Sequence, residues 1–319
     1  MKYDVVCMGS CVRDIVFYTS EAEFLKNPKN DPTKVFLLGF EYGAKIKSDE
    51  VYYSFGGGAA NTAINFANLN LKTAIISAVG DDGLGAEIIN RLKQKKVDSK
   101  FISVEKKLPT GLSFLVVDKN SNEHVVLVSY GANNGLKKIP HIDTKWLYVS
   151  SLSTNKWAHL MDEAIRTKVQ IAWNPGATQL KAGYMKLKKY FKYTDVLLLN
   201  KDEAIELCLS AGIKLKKWDE KKLAEIIWSW GVGLVSITDG IKGVWVYYAN
   251  KHYYKKPHHG KPKDTTGAGD CFGSTLIAGL IKTKGDINKS LDLAIKNSSA
   301  LVFKPGAQEG LLTWQELNK

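Results

Sequence analysis

Short runs of β-branched and aliphatic residues alternate with amphipathic stretches along most of this chain, and that alternation narrows its fold more than any other feature. Residues 3–8, 73–79, 145–152, 170–173, 195–199 and 233–238 read as buried strands. Each is a short, mainly apolar run, as strands buried on both faces require. Residues 59–69, 84–96, 157–167, 201–209, 220–230, 267–281 and 287–302 read as helices. Strands separated by helices join through right-handed crossovers and build a parallel sheet covered on both faces. The expected fold class is therefore α/β, a three-layer α/β/α arrangement around a central, mostly parallel sheet.

Two regions break the pattern. Residues 12–55 hold β-prone pieces at 15–18, 35–38 and 51–55, with only a short helix near 21–25. Residues 111–117 and 124–129 flank Asp118-Lys119-Asn120-Ser121-Asn122-Glu123, a hairpin signal. Both regions, about 12–55 and 110–130, are read as one small β layer projecting from the main sheet. It is either a lid or a surface hairpin without a role. The chain has 319 residues with neither internal repeat nor low-complexity linker. At roughly 150 residues per domain that allows one large or two modest domains, and it is read as one unit, 1–319.

Hydrophobic residues make up 45% and charged ones 24%, which excludes a disordered or collagen-like chain. Apolar stretches such as 276–281 fall far short of the roughly 18 residues that span a bilayer, so no membrane partner is expected. Met1-Lys2-Tyr3-Asp4 runs directly into a strand-like segment without signal-peptide architecture, so the expected location is cytoplasmic. Cys7, Cys11, Cys208 and Cys271 form no C-x-x-C pair and read as reduced packing thiols. The net charge of +13 admits nucleic acid, anionic lipid or a polyphosphate substrate as partner. The lysines are spread over residues 181–192, 214–222 and 251–263, without zinc-finger spacing or an RNA-recognition aromatic motif. They read as solvated faces, and nucleic acid is not the expected partner.

Two glycine-rich segments carry the chemistry. In Asp264-Thr265-Thr266-Gly267-Ala268-Gly269-Asp270-Cys271-Phe272-Gly273, glycines free backbone N–H groups at the start of an apolar helix. Such a helix start attracts anions through unpaired donors and partial positive charge. Asp270 there could accept a hydroxyl proton as phosphate is transferred. The plainer alternative is a helix cap beside a glycine turn. The second segment, Gly56-Gly57-Gly58-Ala59-Ala60-Asn61-Thr62-Ala63, also opens a helix and lets a ligand approach the backbone closely. Asn61 offers a donor and an acceptor for sugar hydroxyls, or it faces solvent beside a tight turn. It is not a dinucleotide fingerprint, because the first strand leads instead to Gly9-Ser10-Cys11. That argues against a nicotinamide-dependent oxidoreductase.

Together these segments resemble the two signatures of the ribokinase-like (PfkB-type) carbohydrate kinase family. The resemblance extends over nearly the whole chain. Asn200-Lys201-Asp202-Glu203 is similar to the family's N-x-x-E motif after a strand, and Thr238-Asp239-Gly240, followed by Lys242-Gly243-Val244, to its nucleotide-binding turn. Gly131-Ala132-Asn133, Trp173-Asn174-Pro175-Gly176 and Lys304-Pro305-Gly306-Ala307-Gln308 fall in family order.

The resemblance implies a ribokinase-like fold with a small β-sheet lid. It implies ATP- and Mg²⁺-dependent transfer of the γ-phosphoryl group to a hydroxymethyl group of a small sugar, or alternatively of a nucleoside. Asp270 would be the base, with N–H groups around Gly267, Ala268 and Gly269 as the anion hole. Asn200 and Glu203 would orient Mg²⁺ through water. Thr238 and Gly240 would contact the nucleotide, and Asn297 would lie near the adenine. Asp14, Gly57, Gly58 and Asn61 would hold the acceptor. Asp264, Thr266 and the carbonyl of Gly306 match a monovalent-cation site, for K⁺. A homodimer through the lid is a further expectation.

Departures from the family pattern bear on the substrate. Ribokinases proper carry an acid where this chain has Val149-Ser150-Ser151-Leu152, and often a lysine where it has Gly58. Both differences argue against ribose. Phe17, Tyr18, Phe36, Phe40, Tyr52 and Tyr53 either stack on a nucleoside base or pack the lid or a dimer contact. The basic stretch Lys255-Lys256-Pro257-His258-His259-Gly260-Lys261-Pro262-Lys263 attracts a triphosphate or a phosphorylated acceptor, or is a solvated loop. A non-catalytic kinase-like or nucleic-acid-binding protein would have no need of Asp270, Asn200 and Glu203 together.

Overall fold

The computed structural model describes residues 2–27, 36–121, 124–258, 260 and 262–319. Among them a nine-stranded sheet runs in the order Lys251–Lys255, Val244–Tyr248, Leu234–Thr238, Val196–Asn200, Gln170–Trp173, Thr144–Val149, Tyr3–Met8, Thr73–Gly80 and Asp98–Glu105. Its strands are parallel from Asp98–Glu105 to Leu234–Thr238, and the last two join antiparallel. Strand alternation sends Val6 and Met8 to one face, and Val5 and Cys7 to the other. The first face packs against helices Trp157–Arg166, Tyr184–Phe191, Lys201–Ser210 and Glu220–Trp228. The second packs against Gly58–Asn68, Gly83–Gln94, Ala268–Lys282 and Ile287–Leu301. This is the expected three-layer α/β/α architecture.

A separate four-stranded sheet runs in the order Glu50–Gly56, Val12–Thr19, Leu112–Asp118, His124–Ser129. Val16, Tyr18, Leu115 and Val117 form its own small core. Most of the expected β layer is thus one small sheet, but the β-prone piece at 35–38 is not part of it: Phe36–Gly39 belongs to a separate two-stranded sheet. The helix expected near residues 21–25 is absent among the described residues. Glu23–Lys26 is instead a strand paired with Phe36–Gly39, with Phe24 opposite Leu38 and Leu25 opposite Leu37. Exposed apolar side chains found each other across a strand pair, where a four-residue helix would have had no face to bury. Val35, Asn122, Glu123, His259 and Lys261 lie outside the described residues.

A hairpin, an edge strand and a helix escaped the pattern reading. Val244–Tyr248 and Lys251–Lys255 form a hairpin whose turn residues Ala249 and Asn250 both have positive φ, 48° and 60°. That is the twist a two-residue hairpin demands, and lysines suit its edge strand. Asp98–Glu105 is the opposite edge, only partly buried. Tyr184–Phe191 is a helix inside the lysine-rich stretch, burying Leu187, Tyr190 and Phe191.

Candidate active site

Parallel strands end together, and the loops beyond their carboxyl ends converge on one cleft, the usual ligand position of an open α/β sheet. Asn200 and Thr238 close neighbouring strands, and Ser150 and Asn174 follow two others. Opposite them stands the helix Ala268–Lys282. Its N-cap, Gly267, adopts φ 73° and provides no capping side chain. A Cβ on Gly267 would lie 2.6 Å from that of Ala307, so both backbone conformation and crowding require glycine. A Cβ on Gly269 would meet nothing within 4 Å: that position faces open space. Among the described residues, the N–H groups of Gly269 and Asp270 have no acceptor, whereas that of Ala268 donates to the Thr265 carbonyl at 3.1 Å. The first helical turn therefore presents free donors to the cleft.

Two adjoining cavities meet at this helix start. One, of about 210 Å³, includes Asn200, Glu203, Ser236, Gly267 and Asp270 in its wall. The other, of about 520 Å³, is mainly apolar and runs between Ile241, Val244, Phe272, Ile295, Val302 and Phe303. Thr238, Thr265, Ala268, Gly269 and Phe272 border both. A polar chamber thus opens into a flat-sided apolar one. Ser236 Oγ is buried in the polar chamber without a partner among the described residues.

Asp270 faces the polar chamber and is half-buried. Burial pushes its carboxyl up to about 6, against the opposing pull of the Asn61 amide. Asn61 Nδ2 donates to Asp270 Oδ2 at 2.8 Å. The other oxygen, Oδ1, lies toward Gly58, 3.5 Å from where a Cβ on Gly58 would stand. Such a Cβ would also come within 2.8 Å of Ser150 Cβ, so the bare backbone here fits the serine beside it. Gly57 has φ 93° and is packed on the Ser10 carbonyl.

Asp14 is buried on the inner face of the small sheet, at 5% exposure. Its carboxyl is pushed up to about 7, first by burial and then by Asp264 and Asp270, against the Ser113 hydroxyl and Arg13. Glu203 lies at the opposite wall. Burial, then the neighbouring Glu206, Asp202 and Asp270, push it up to about 7 against the Asn200 N–H. Asn200 and Glu203 cap the Lys201–Ser210 helix reciprocally: Asn200 Oδ1 accepts from the Glu203 N–H and Glu203 Oε2 from the Asn200 N–H, both at 2.8 Å. Asp270 and two acids within its electrostatic reach, Asp14 and Glu203, thus have their ionisation held back by burial, a pattern that accompanies functional sites.

Asp264 accepts from the Thr266 N–H at 2.8 Å and the Gly306 N–H at 2.7 Å, tying two loops beside the helix start. Among the described residues no cluster of three or more His, Cys, Asp or Glu side chains could hold a metal ion. Lys256 and His258 line the apolar cavity.

The structure brings Asp270, Gly267, Ala268, Gly269, Asn200, Glu203, Thr238 and Gly240 to the two cavities. Gly58 and Asn61 adjoin Asp270. Asn297 is a correction. It is fully buried, its Nδ2 donating to Asn65 Oδ1 at 3.0 Å and Thr275 Oγ1 at 2.9 Å, and its Oδ1 accepting from the Leu312 N–H at 2.9 Å. It ties three helices together, and its neighbours Ile295, Ser298 and Ser299 line the cavity instead. Asn61 adjoins Asp270, and its carbonyl oxygen accepts from Gln308 Nε2 at 3.0 Å. Ser236, Phe272 and Ser150 were not singled out as site residues, because a lone serine or phenylalanine within an element or just after it carries no pattern of its own.

A helix start with free N–H donors, a half-buried carboxylate and an apolar slot thus meet in one cleft. The sequence model of the pfkB family carbohydrate kinases matches residues 2–314, and the chain belongs to that family. It is 29% identical over 289 residues to a ribokinase of Haemophilus influenzae, covering 86% of this chain and 89% of that one. Its fold superposes on a Burkholderia thailandensis nucleoside kinase in complex with inosine, with a TM-score of 0.80, 17% identity and coverage of 98% and 96%. It also superposes on a Cryptococcus neoformans ribokinase in complex with ADP, with a TM-score of 0.79, 22% identity and coverage of 99% and 98%. The chain is a carbohydrate kinase of ribokinase-like fold. No helix among the described residues is long and apolar enough to cross a membrane.

Proposed function

We propose that the chain transfers the γ-phosphoryl group of ATP to a hydroxymethyl group of a small sugar, with Asp270 as base. The observation that carries this reading is the pairing of a half-buried carboxylate with unpaired N–H groups on the same helical turn. Asp270 Oδ1 accepts the acceptor's hydroxyl proton while Oδ2 stays on Asn61. The N–H groups of Gly269 and Asp270, preorganised by the helix, stabilise charge on the migrating phosphoryl group. The apolar cavity suits a flat purine, and the unpartnered Ser236 hydroxyl and the open face of Gly269 suit the phosphates.

The donor set fits Mg²⁺: one carboxylate, Glu203, with Asn200 beside it, as expected for an ion that keeps most of its waters. Bound there, the ion would neutralise phosphate charge. Asp14 and the Gly57–Gly58 backbone hold the acceptor. Asp264, Thr266 and the Gly306 carbonyl form the site we assign to K⁺. The small sheet acts as the lid, and its exposed strand His124–Ser129 as the edge for a homodimer.

A nucleoside acceptor is the second reading. A cavity of about 290 Å³ lined by Tyr18, Tyr52, Tyr53, Phe55 and Arg91 adjoins Asp264 and offers ring faces to a base.

The test is ATP turnover over a panel of pentoses, hexoses, sugar phosphates and nucleosides, with Asp270→Asn as control. At least one acceptor stimulates turnover, and the variant loses about 10²–10⁴-fold in kcat. Full-rate turnover by the variant overturns the assignment of Asp270.

A further inference from the structure

Gln308 belongs to no part of the reaction described so far. It stands in the loop that follows Pro305-Gly306-Ala307, and that loop is clamped at two points to the segment Asp264–Gly267 that leads into the helix Ala268–Lys282. Gly306 N–H bonds Asp264 at 2.7 Å, and Ala307 fills the space that only a glycine at 267 leaves open. The clamp brings Gln308, 5% exposed, against Asn61, 6% exposed.

The hydrogen bonds then form a directed chain. A carboxylate only accepts, so Asn61 must turn Nδ2 toward Asp270, at 2.8 Å. That leaves Asn61 Oδ1 pointing the other way, where it needs a donor. Gln308 Nε2 supplies one at 3.0 Å. In this orientation Gln308 Oε1 is buried with no partner among the described residues. An unpaired buried oxygen is costly, and the cost is tolerated where it fixes the polarity of the two bonds before it.

We propose that Gln308 is a positioning residue: by donating to Asn61 it locks that amide with its N–H toward Asp270 and so favours the ionised form of the base. The inference rests on the reading of Asp270 as base only for its catalytic meaning. The lock itself is a property of the protein without ligands.

Several other groups face Asp270. Asp14 comes from the small sheet, Glu203 from the Lys201–Ser210 helix, Cys7 and Tyr148 from the central strands, and Cys271 from its own helix. Burial holds the last three neutral: the Cys7 thiol is pushed up to about 12, and Tyr148 and Cys271 are also raised. Asp14 and Glu203 titrate close to Asp270, so a bulk pH profile would mix the three. The experiment must read Asp270 alone.

That reading is available from ¹³C-carboxyl-labelled aspartate in the full chain without ligands, the Asp270 resonance being assigned by its loss in Asp270→Asn. Asn61→Ala should raise the Asp270 midpoint by about 1–2 pH units, the value of a hydrogen bond to a charged group. Gln308→Met should raise it by a smaller amount, roughly half a unit on the same scale. Gln308→Glu, which can only accept while ionised, should raise it more than Gln308→Met. The decisive arm is the cycle: in the Asn61→Ala background, Gln308→Met should shift nothing further. A structural role alone would lower the melting temperature and leave the midpoint where it is. The inference falls if Gln308→Met leaves the midpoint unchanged while Asn61→Ala moves it, or if the two shifts add. Failure of the base reading looks different: Asp270→Asn would then phosphorylate at full rate, whatever the titrations give.

Discussion

Two helices begin at the same cleft and solve the problem of their unpaired N–H groups in opposite ways. The Lys201–Ser210 helix closes its own end, with Asn200 and Glu203 capping each other at 2.8 Å. The Ala268–Lys282 helix leaves its end open, with a left-handed glycine as cap and no side chain on its donors. A capped end contributes stability in the resting protein. An open end forgoes that contribution and keeps its donors for an anion. The contrast supports the proposed phosphate site at the second helix. It also gives Glu203 a double role, since the carboxylate assigned to Mg²⁺ already works as a cap.

Substitutions at the two glycines of the open end give the largest effects that separate folding from binding. Gly267→Ala should cost about 1–3 kcal/mol of stability, because its φ of 73° and the Ala307 contact at 2.6 Å both resist a side chain. Gly269→Ala should leave the melting temperature equal or higher, since alanine is the better helix former and its methyl meets nothing. Its methyl would stand over the donors, so ATP binding measured by calorimetry should weaken about tenfold or more, a loss on the scale of one hydrogen bond to a charged group. If Gly269→Ala binds ATP normally, the open end is not the phosphate site.

The closed end should respond to pH instead. Burial raises Glu203 from 4.5 to about 7. An acid raised on folding binds more protons in the native state, so its contribution is fully present below about 4.5 and is lost as pH climbs through about 7. Asp270, raised to about 6, and Asp14, raised to about 7, act with the same sign. The protein without ligands should therefore lose stability between pH 5 and 8. Glu203→Gln can keep the capping geometry while removing one titration. It should flatten that slope and raise stability at pH 8, by on the order of 1–2 kcal/mol once remaining solvent contact is allowed for. Thermal melts across the range check this, and an unchanged slope would mean that Glu203 is ionised throughout.

The open end was legible in the sequence because two glycines around one small residue before an apolar helix leave its first N–H groups without a capping side chain. The parallel sheet was legible for a similar reason: strands such as Tyr3–Met8 and Thr73–Gly80 are buried on both faces and read as unbroken apolar runs. Elements that meet solvent on one side were harder to see. Lys251–Lys255 and Tyr184–Phe191 hide their apolar residues among lysines, and only the sheet edge and the helix face reveal which side is buried. Asn297 was misread because an asparagine on a helix looks the same whether it faces a ligand or other helices. Its hydrogen bonds to Asn65, Thr275 and Leu312 decide it. Gln308 lay in a family-ordered segment, but its bond to Asn61 spans 247 positions and exists only after folding.

The smallest effect is expected at the cap itself, and it bears most directly on the double role of Glu203. Asn200→Ala removes the acceptor for the Glu203 N–H and should cost about 1 kcal/mol, as a lost cap does elsewhere. It leaves Glu203 Oε2 bonded to the backbone N–H of residue 200, since that donor does not depend on the side chain. Stability should thus fall slightly while the midpoint assigned to Glu203 hardly moves. If Mg²⁺ then drew the Glu203 carboxylate from its cap, the bond to break, Oε2 to the residue-200 N–H, is the same in both proteins, so the variant should bind Mg²⁺–ATP as well as the parent. Weaker metal-dependent binding would instead place the Asn200 side chain itself in contact with the hydrated ion. Calorimetry with ATP, with and without Mg²⁺, separates the two outcomes.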